Sequence, residues 1–137
     1  MNDLTKNIIA ISIGGAIGTT FRYIFNIVTL ETGYPLGTII ENLGGSFLLG
    51  FLTAWFIVFK PKEWVKTGLG VGLCGGFTTM STFAADSVLL YGVHVYNALI
   101  YVVISLFGGV VCALAGSVLG TAIAKRKLKT REGGLKS

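Results

Sequence analysis

Four apolar stretches fill most of the chain, at residues 7–30, 36–59, 67–91 and 95–124. About 20 helical residues cross a ~30 Å hydrocarbon core, so apolar runs of this length with few charges read as membrane spans. Arg22 is the only charge in the first stretch, Glu41 in the second and Asp86 in the third, and the fourth has none. Charged residues make up 12% of the whole, against about 25% in an average soluble domain. Each stretch should be helical, because a helix satisfies its own backbone hydrogen bonds where no water can. The expected fold is an all-α membrane protein: a four-helix transmembrane domain over residues 1–124, then a basic, solvated tail at 125–137. The connections at 31–35, 60–66 and 92–94 leave no room for a separate catalytic module.

Lys6 followed by an apolar run has the outline of a signal peptide. Arg22 inside the run, no small-residue cleavage site and three further spans argue against one. Cys74 and Cys112 both fall within spans and are read as free thiols behaving as small apolar residues. With four spans, the amino terminus, the second connection and the tail share one side. That side collects Lys6, Lys60, Lys62, Lys66, Lys125, Arg126, Lys127, Lys129, Arg131 and Lys136, leaving only Arg22 for the other. Such a bias marks the cytoplasmic face, so both termini are expected inside the plasma (inner) membrane. The net charge of +5 therefore calls for no nucleic-acid partner, since a basic tail is at home beside an anionic inner leaflet.

Many of the 20 glycines are explained by packing, because small residues let helix backbones approach closely in lipid. Gly14 and Gly18 are four apart, as are Gly68 and Gly72, Gly72 and Gly76, and Gly116 and Gly120. Packing does not account for Gly75-Gly76-Phe77-Thr78-Thr79-Met80-Ser81-Thr82-Phe83, where poor helix formers fall in the middle of the third span. Irregular backbone at membrane depth is tolerated only where it is buried in protein or lines a cavity. A broken third helix with carbonyls free to hold a cation is one reading. A continuous helix with its hydroxyls bonded back to the preceding turn is the other.

Thr38 and Asn42 share a face of the second helix, and Tyr101 and Ser105 share one of the fourth. Either pair alone is good interhelical glue; two such faces beside a hydroxyl-rich break form a polar track. Phe77, Met80 and Phe83 are the apolar groups among them, and aromatic ring edges carry partial positive charge that can meet an anion. Arg22 and Asp86 are ionisable groups near span ends, hence functional candidates, although Arg22 could equally snorkel to an interface as an anchor. Glu41 is expected to point toward the bilayer interface or another subunit, and His94 to lie on the surface of a loop.

At these residues the sequence resembles the Fluc/CrcB family of small fluoride channels. The resemblance runs from Gly14-Gly15-Ala16-Ile17-Gly18-Thr19-Thr20-Phe21-Arg22-Tyr23 through Gly37-Thr38, Asn42 and Gly44-Gly45-Ser46-Phe47-Leu48-Leu49-Gly50. It continues over Gly72-Leu73-Cys74-Gly75-Gly76-Phe77-Thr78-Thr79-Met80-Ser81-Thr82-Phe83 to Tyr101 and Ser105. It implies an antiparallel dimer with two fluoride pores and a structural sodium ion at its centre, held by the carbonyls of Gly75 and Thr78. It implies that Asn42 donates to fluoride, that Met80 and Phe83 occupy the family's phenylalanine pair, and that Thr38, Tyr101 and Ser105 form the hydroxyl track. Ser81 joins the fluoride pathway, and Arg22 becomes the vestibule arginine. The implied biology is passive export: fluoride enters from acidic surroundings as HF, is trapped as the ion, and leaks out through the channel.

Three positions depart from the family pattern. Met80 replaces a phenylalanine, Ala84 stands where serine is common, and Gly109 replaces a second serine one turn beyond Ser105. Methionine fills space but has no ring edge, which would leave at least one pore built partly from this chain weakened or closed. Identical chains in opposite orientations need nearly balanced Lys/Arg counts on their two sides, and the bias here instead predicts pairing with an oppositely oriented paralogue. An enzyme is disfavoured, because no His/Cys/Asp cluster has ligand spacing and the single His lies in a loop. A small multidrug-type transporter is a four-helix alternative, but would carry an acidic residue deep in the first span.

Overall fold

The computed structural model describes residues 2–134, with side chains described as far as Thr130. Its elements are α1 (Asp3–Thr29), α2 (Leu36–Phe59), the short α3 (Glu63–Lys66), α4 (Gly75–Phe77), α5 (Met80–Val93) and α6 (Val95–Gly134). A 3-10 turn at Leu30–Thr32 follows α1, and π-helical turns over Thr67–Cys74 join α3 to α4. No strand occurs among the described residues. Among the described residues, three stretches are long and apolar enough to cross a membrane: Asp3–Thr32, Leu36–Phe59 and Val95–Thr130. The remaining apolar stretch is covered by the succession of shorter elements from α3 to α5.

Helix ends follow local chemistry. The Asn2 side chain accepts from the Thr5 amide at 2.9 Å and caps α1. Asp3, in the first turn, pairs with Lys6 at 3.0 Å, so the helix opens before the hydrophobic run does. Gly33 takes a left-handed φ of 67° to turn the chain, and Pro35 precedes α2. At its other end α2 stops where Lys60 adopts a left-handed φ of 45° before Pro61, which cannot continue a helix. The last helix has 40 residues, about 60 Å at ~1.5 Å per residue, roughly twice the thickness of a hydrocarbon core. The basic segment from Lys125 is therefore a helical extension of α6 as far as Gly134, and residues 135–137 lie outside the described part. Lys127 Nζ sits 5.5 Å over the Trp55 ring, tying the emerging end of α6 to α2.

Side chains are distributed inside out relative to a soluble protein. Ala54, Cys74, Ala98, Tyr101 and Ala124 are the only buried apolar residues among those described, while Leu, Ile, Val and Phe side chains cover the surface. Helix contact is made by small residues, as the glycine spacing anticipated. A Cβ at Gly72 would lie 2.8 Å from the Ile11 carbonyl oxygen, so the π-helical turns sit directly on the backbone of α1. A Cβ at Gly116 would run into the Phe47 carbonyl, which locks α6 against α2 along the largest interface of the fold.

One end of the molecule gathers Asp3, Lys6 and Asn7 beside Lys62, Glu63 and Trp64 around a shared cavity, and Trp55 brings Lys127 to the same end of α2 as Lys60. At the other end Tyr34 donates to the Asn97 carbonyl at 3.5 Å and meets Tyr101 edge-on, 6.1 Å between ring centres. The first and third connections, by contrast, hold no lysine or arginine. His94 is exposed between α5 and α6, as its loop position suggested, and both cysteines are free.

Candidate functional site

The glycine- and threonine-rich run departs from helical geometry at two residues. Thr78 has ψ 157°, and Thr79 has φ −146° and ψ 123°, so extended backbone separates α4 from α5. At membrane depth the polar groups of such residues need partners, and α2 supplies them. Asn42 Nδ2 donates to the Thr79 carbonyl at 2.9 Å, and the Thr79 amide donates to Asn42 Oδ1 at 2.8 Å. The carboxamide thus pairs with Thr79 as a neighbouring strand would. The Thr79 hydroxyl then caps α5, accepting from the Thr82 amide at 3.3 Å, while the Thr78 hydroxyl donates back to the Cys74 carbonyl at 3.0 Å. In this run one threonine hydroxyl bonds back to its own turn, and the other caps the next helix.

Around the extended pair lies a groove of about 360 Å³ whose lining includes Asn42, Gly75, Thr78, Met80, Phe83 and Ser105. Six of the residues singled out from the sequence therefore meet on one surface. Thr79, buried to 7% exposure, lines it too; the sequence had placed it in the run of poor helix formers and not among the site residues. A threonine three residues ahead of Thr82 at the start of an apolar run was the helix-capping signal that could have found it. Met80 is 73% exposed, on the open side of the groove. The Ser105 hydroxyl is buried and has no hydrogen-bond partner among the described residues. Ser81 is exposed and lies outside the groove, its hydroxyl 3.4 Å from that of Thr79.

Thr38 and Tyr101 meet elsewhere, at Asp86. Thr38 Oγ1 donates to Asp86 Oδ2 at 2.8 Å, and the Tyr101 hydroxyl donates to the same oxygen at 3.0 Å. Thr38 and Tyr101 are 2% and 0% exposed, and Thr38 and Asp86 line a second cavity of about 350 Å³ toward the Tyr34 end. The Phe83 and Tyr101 rings stack with centroids 5.4 Å apart. Asn42 and Ser105 line the groove while Thr38 lines the second cavity, so the polar faces anticipated on α2 and α6 are divided between two sites. Phe77 packs elsewhere, edge-on to Phe25 at 5.8 Å and beside Gly44 and Gly45.

Arg22 is half-buried, and its Nη1 lies 3.5 Å from the Thr78 carbonyl oxygen, so it reaches inward to the extended segment and does not simply snorkel. Glu41 overturns its expectation. It is 0% exposed and faces α1, where Asn26 Nδ2 donates to its Oε1 at 2.7 Å. Asn26 also donates to the Arg22 carbonyl at 3.0 Å. Sequence reasoning placed Glu41 outward because no partner was adjacent in the chain; the partner is on another helix.

These features define a helical membrane protein with polar side chains gathered around two neighbouring cavities and, among the described residues, no metal-ligating cluster. Comparison with known proteins places it more closely. Residues 9–117 match the family described as CrcB-like protein, Camphor Resistance (CrcB). A protein of Halalkalibacterium halodurans named Fluoride-specific ion channel FluC 2 is 65% identical, over 93% of this chain and 95% of its own. Proteins of the same name from Bacillus licheniformis and Bacillus subtilis are 40% and 43% identical, over 93% and 84% of this chain and 96% and 88% of theirs. The chain belongs to the CrcB family, a family of ion channels and not of enzymes.

Proposed function

We propose that this chain is a subunit of a fluoride-selective channel in the plasma membrane, both termini cytoplasmic, through which fluoride leaves the cell passively. The observation that carries the reading is the Ser105 hydroxyl, buried without a partner in the groove that also holds Asn42 and Phe83. A buried hydroxyl with no partner is a donor waiting for a ligand. Neutral donors and ring edges suit a small anion that must lose water on entry and still leave, because conduction needs binding that is favourable but not tight. The names of the relatives, fluoride-specific ion channels, agree with that chemistry.

The third segment would cross the membrane as a broken helix. The functional assembly would be an antiparallel pair, with Thr38, Tyr101 and Ser105 as hydroxyl track, Met80, Ser81 and Phe83 along the pathway, and Arg22 at its vestibule. A structural sodium ion at the pair's centre fits the donor set, since the carbonyls of Gly75 and Thr78 have lost their helical amide partners. When bound, the ion would supply positive charge between the two carbonyls, beside the Arg22 guanidinium that reaches the Thr78 oxygen. The partner would be a paralogue, because basic residues gather at one end of this chain. Three relatives carrying the number 2 in their names agree with this. Fluoride-electrode recordings of efflux from liposomes test the function: fluoride should leave without chloride when this chain is present with its oppositely oriented partner. Ser105→Ala should slow that efflux at least tenfold; equal chloride release, or full flux in the variant, would refute the proposal.

A further inference from the structure

We infer that Asn42 and Thr79 are positioning residues whose side chains create the cation site by taking the amide protons that would otherwise occupy its carbonyls. This rests on the reading of Gly75 and Thr78 as sodium ligands. In a continuous α-helix each carbonyl accepts from the amide four residues later, so Gly75 would be served by Thr79 and Thr78 by Thr82. Both amides are diverted. The Thr79 amide donates to Asn42 Oδ1 at 2.8 Å, and the Thr82 amide donates to Thr79 Oγ1 at 3.3 Å. The two carbonyls assigned to the cation are thus the two whose natural partners are held by identifiable side chains.

Asn42 completes the arrangement by donating Nδ2 to the Thr79 carbonyl at 2.9 Å. This second bond fixes the carboxamide so that its oxygen, and not its nitrogen, faces the Thr79 amide. One Nδ2 hydrogen remains, so a donor role toward an anion in the groove is compatible with the clamp. Thr79 carries three of the bonds: its carbonyl and amide engage α2 while its hydroxyl begins α5. Arg22 Nη1 at 3.5 Å from the Thr78 oxygen is a long contact on an atom with two acceptor sites, so that carbonyl keeps capacity for a cation.

Three variants distinguish a positioning role for Thr79 and Asn42 from mere packing. Thr79→Val keeps the shape and removes the cap; the Thr82 amide is then free to return to the Thr78 carbonyl. Asn42→Leu frees the Thr79 amide to return to Gly75 and let the helix close. Thr79→Ser keeps the hydroxyl and should behave as wild type. The test is thermal unfolding of the purified assembly, with its partner subunit, titrated with sodium chloride against N-methylglucamine chloride at constant ionic strength.

Wild type and Thr79→Ser should be stabilised by sodium with matching midpoints. In Thr79→Val and Asn42→Leu the midpoint should rise at least tenfold, or the sodium response should vanish. A sodium response in wild type that persists unchanged in both Thr79→Val and Asn42→Leu would overturn the clamp while leaving the sodium reading standing. No sodium response in wild type would overturn that reading, and the clamp's assigned purpose with it.

Discussion

The node at Asp86 offers a measurement whose size can be worked out beforehand. Two hydroxyls from different helices, Thr38 on α2 and Tyr101 on α6, donate to one carboxylate oxygen at 2.8 and 3.0 Å. In water-soluble proteins a hydrogen bond to a charged group contributes ~1.5–3 kcal/mol, but interhelical bonds in membranes average only ~0.6 kcal/mol and reach ~1.7. Tyr101 is wholly buried and its acceptor is a carboxylate, so the upper half of the membrane range applies, about 1–1.7 kcal/mol for Tyr101→Phe. That substitution leaves the ring to stack on Phe83 at 5.4 Å and so isolates the hydroxyl. Thr38→Val should cost a similar amount. Because both donors share one oxygen, the double variant should deviate from additivity by at least ~0.5 kcal/mol. Equilibrium unfolding in mixed detergent micelles, as a double-mutant cycle, reads these values. Strict additivity, with each variant within ~0.3 kcal/mol of wild type, would show that Asp86 is not held by these hydroxyls.

Two further substitutions probe the frame around the site. Gly116→Val forces a Cβ into the Phe47 carbonyl and within 3.0 Å of the Phe51 amide, backbone atoms that cannot rotate away. It should therefore cost at least ~3 kcal/mol, read as loss of the folded species in detergent gel filtration; recovery of normal yield would contradict the close α2–α6 approach. Asn26→Leu removes the donor to Glu41 Oε1 and leaves a buried carboxyl group with neither oxygen partnered. A destabilisation of ~1–3 kcal/mol is expected, restored in part by combining it with Glu41→Leu; an additive double variant would mean that the two side chains do not interact.

The helical, membrane-spanning character was legible in the sequence because the membrane imposes a coarse rule: apolar length sets the spans. The extended backbone at Thr78 and Thr79 falls in the run where Gly75, Gly76 and two adjacent threonines made a regular helix unfavourable. What was not legible was pairing across helices. Thr38 shares a helical face with Asn42, yet it bonds to Asp86 while Asn42 bonds to Thr79, since side chains one turn apart reach different neighbours. Glu41 was misjudged for the same reason, its partner Asn26 being fixed by the packing of α1 on α2. The extension of α6 past Lys125 was hidden because solvent-exposed basic residues give no apolar period, although lysine and arginine are good helix formers.

Charge also bears on the proposed pairing of two different chains. A dual-topology homodimer needs each copy to insert either way with comparable ease. Here Lys6, Lys60, Lys62, Lys66, Lys125, Arg126, Lys127 and Lys129 are assigned to one end, with the described end of α6 held there through Lys127 and Trp55. Some of that charge is neutralised locally, as Lys6 pairs with Asp3 and Lys66 with Glu63, each at about 3 Å. Acidic residues contribute little to orientation, however, so the pairs do not restore balance. If each basic residue gains even a quarter of the ~1 kcal/mol available near an anionic leaflet, eight of them favour one orientation by roughly 2 kcal/mol, about thirtyfold. Single cysteines introduced in turn at Lys62 and Gly33, in a chain with Cys74 and Cys112 replaced by alanine, can be labelled from outside intact cells. The chain expressed alone should label at position 33 and not at 62, and should release fluoride from liposomes weakly until its paralogue is added. Equal labelling at both positions together with full fluoride release would establish a homodimer inserted both ways.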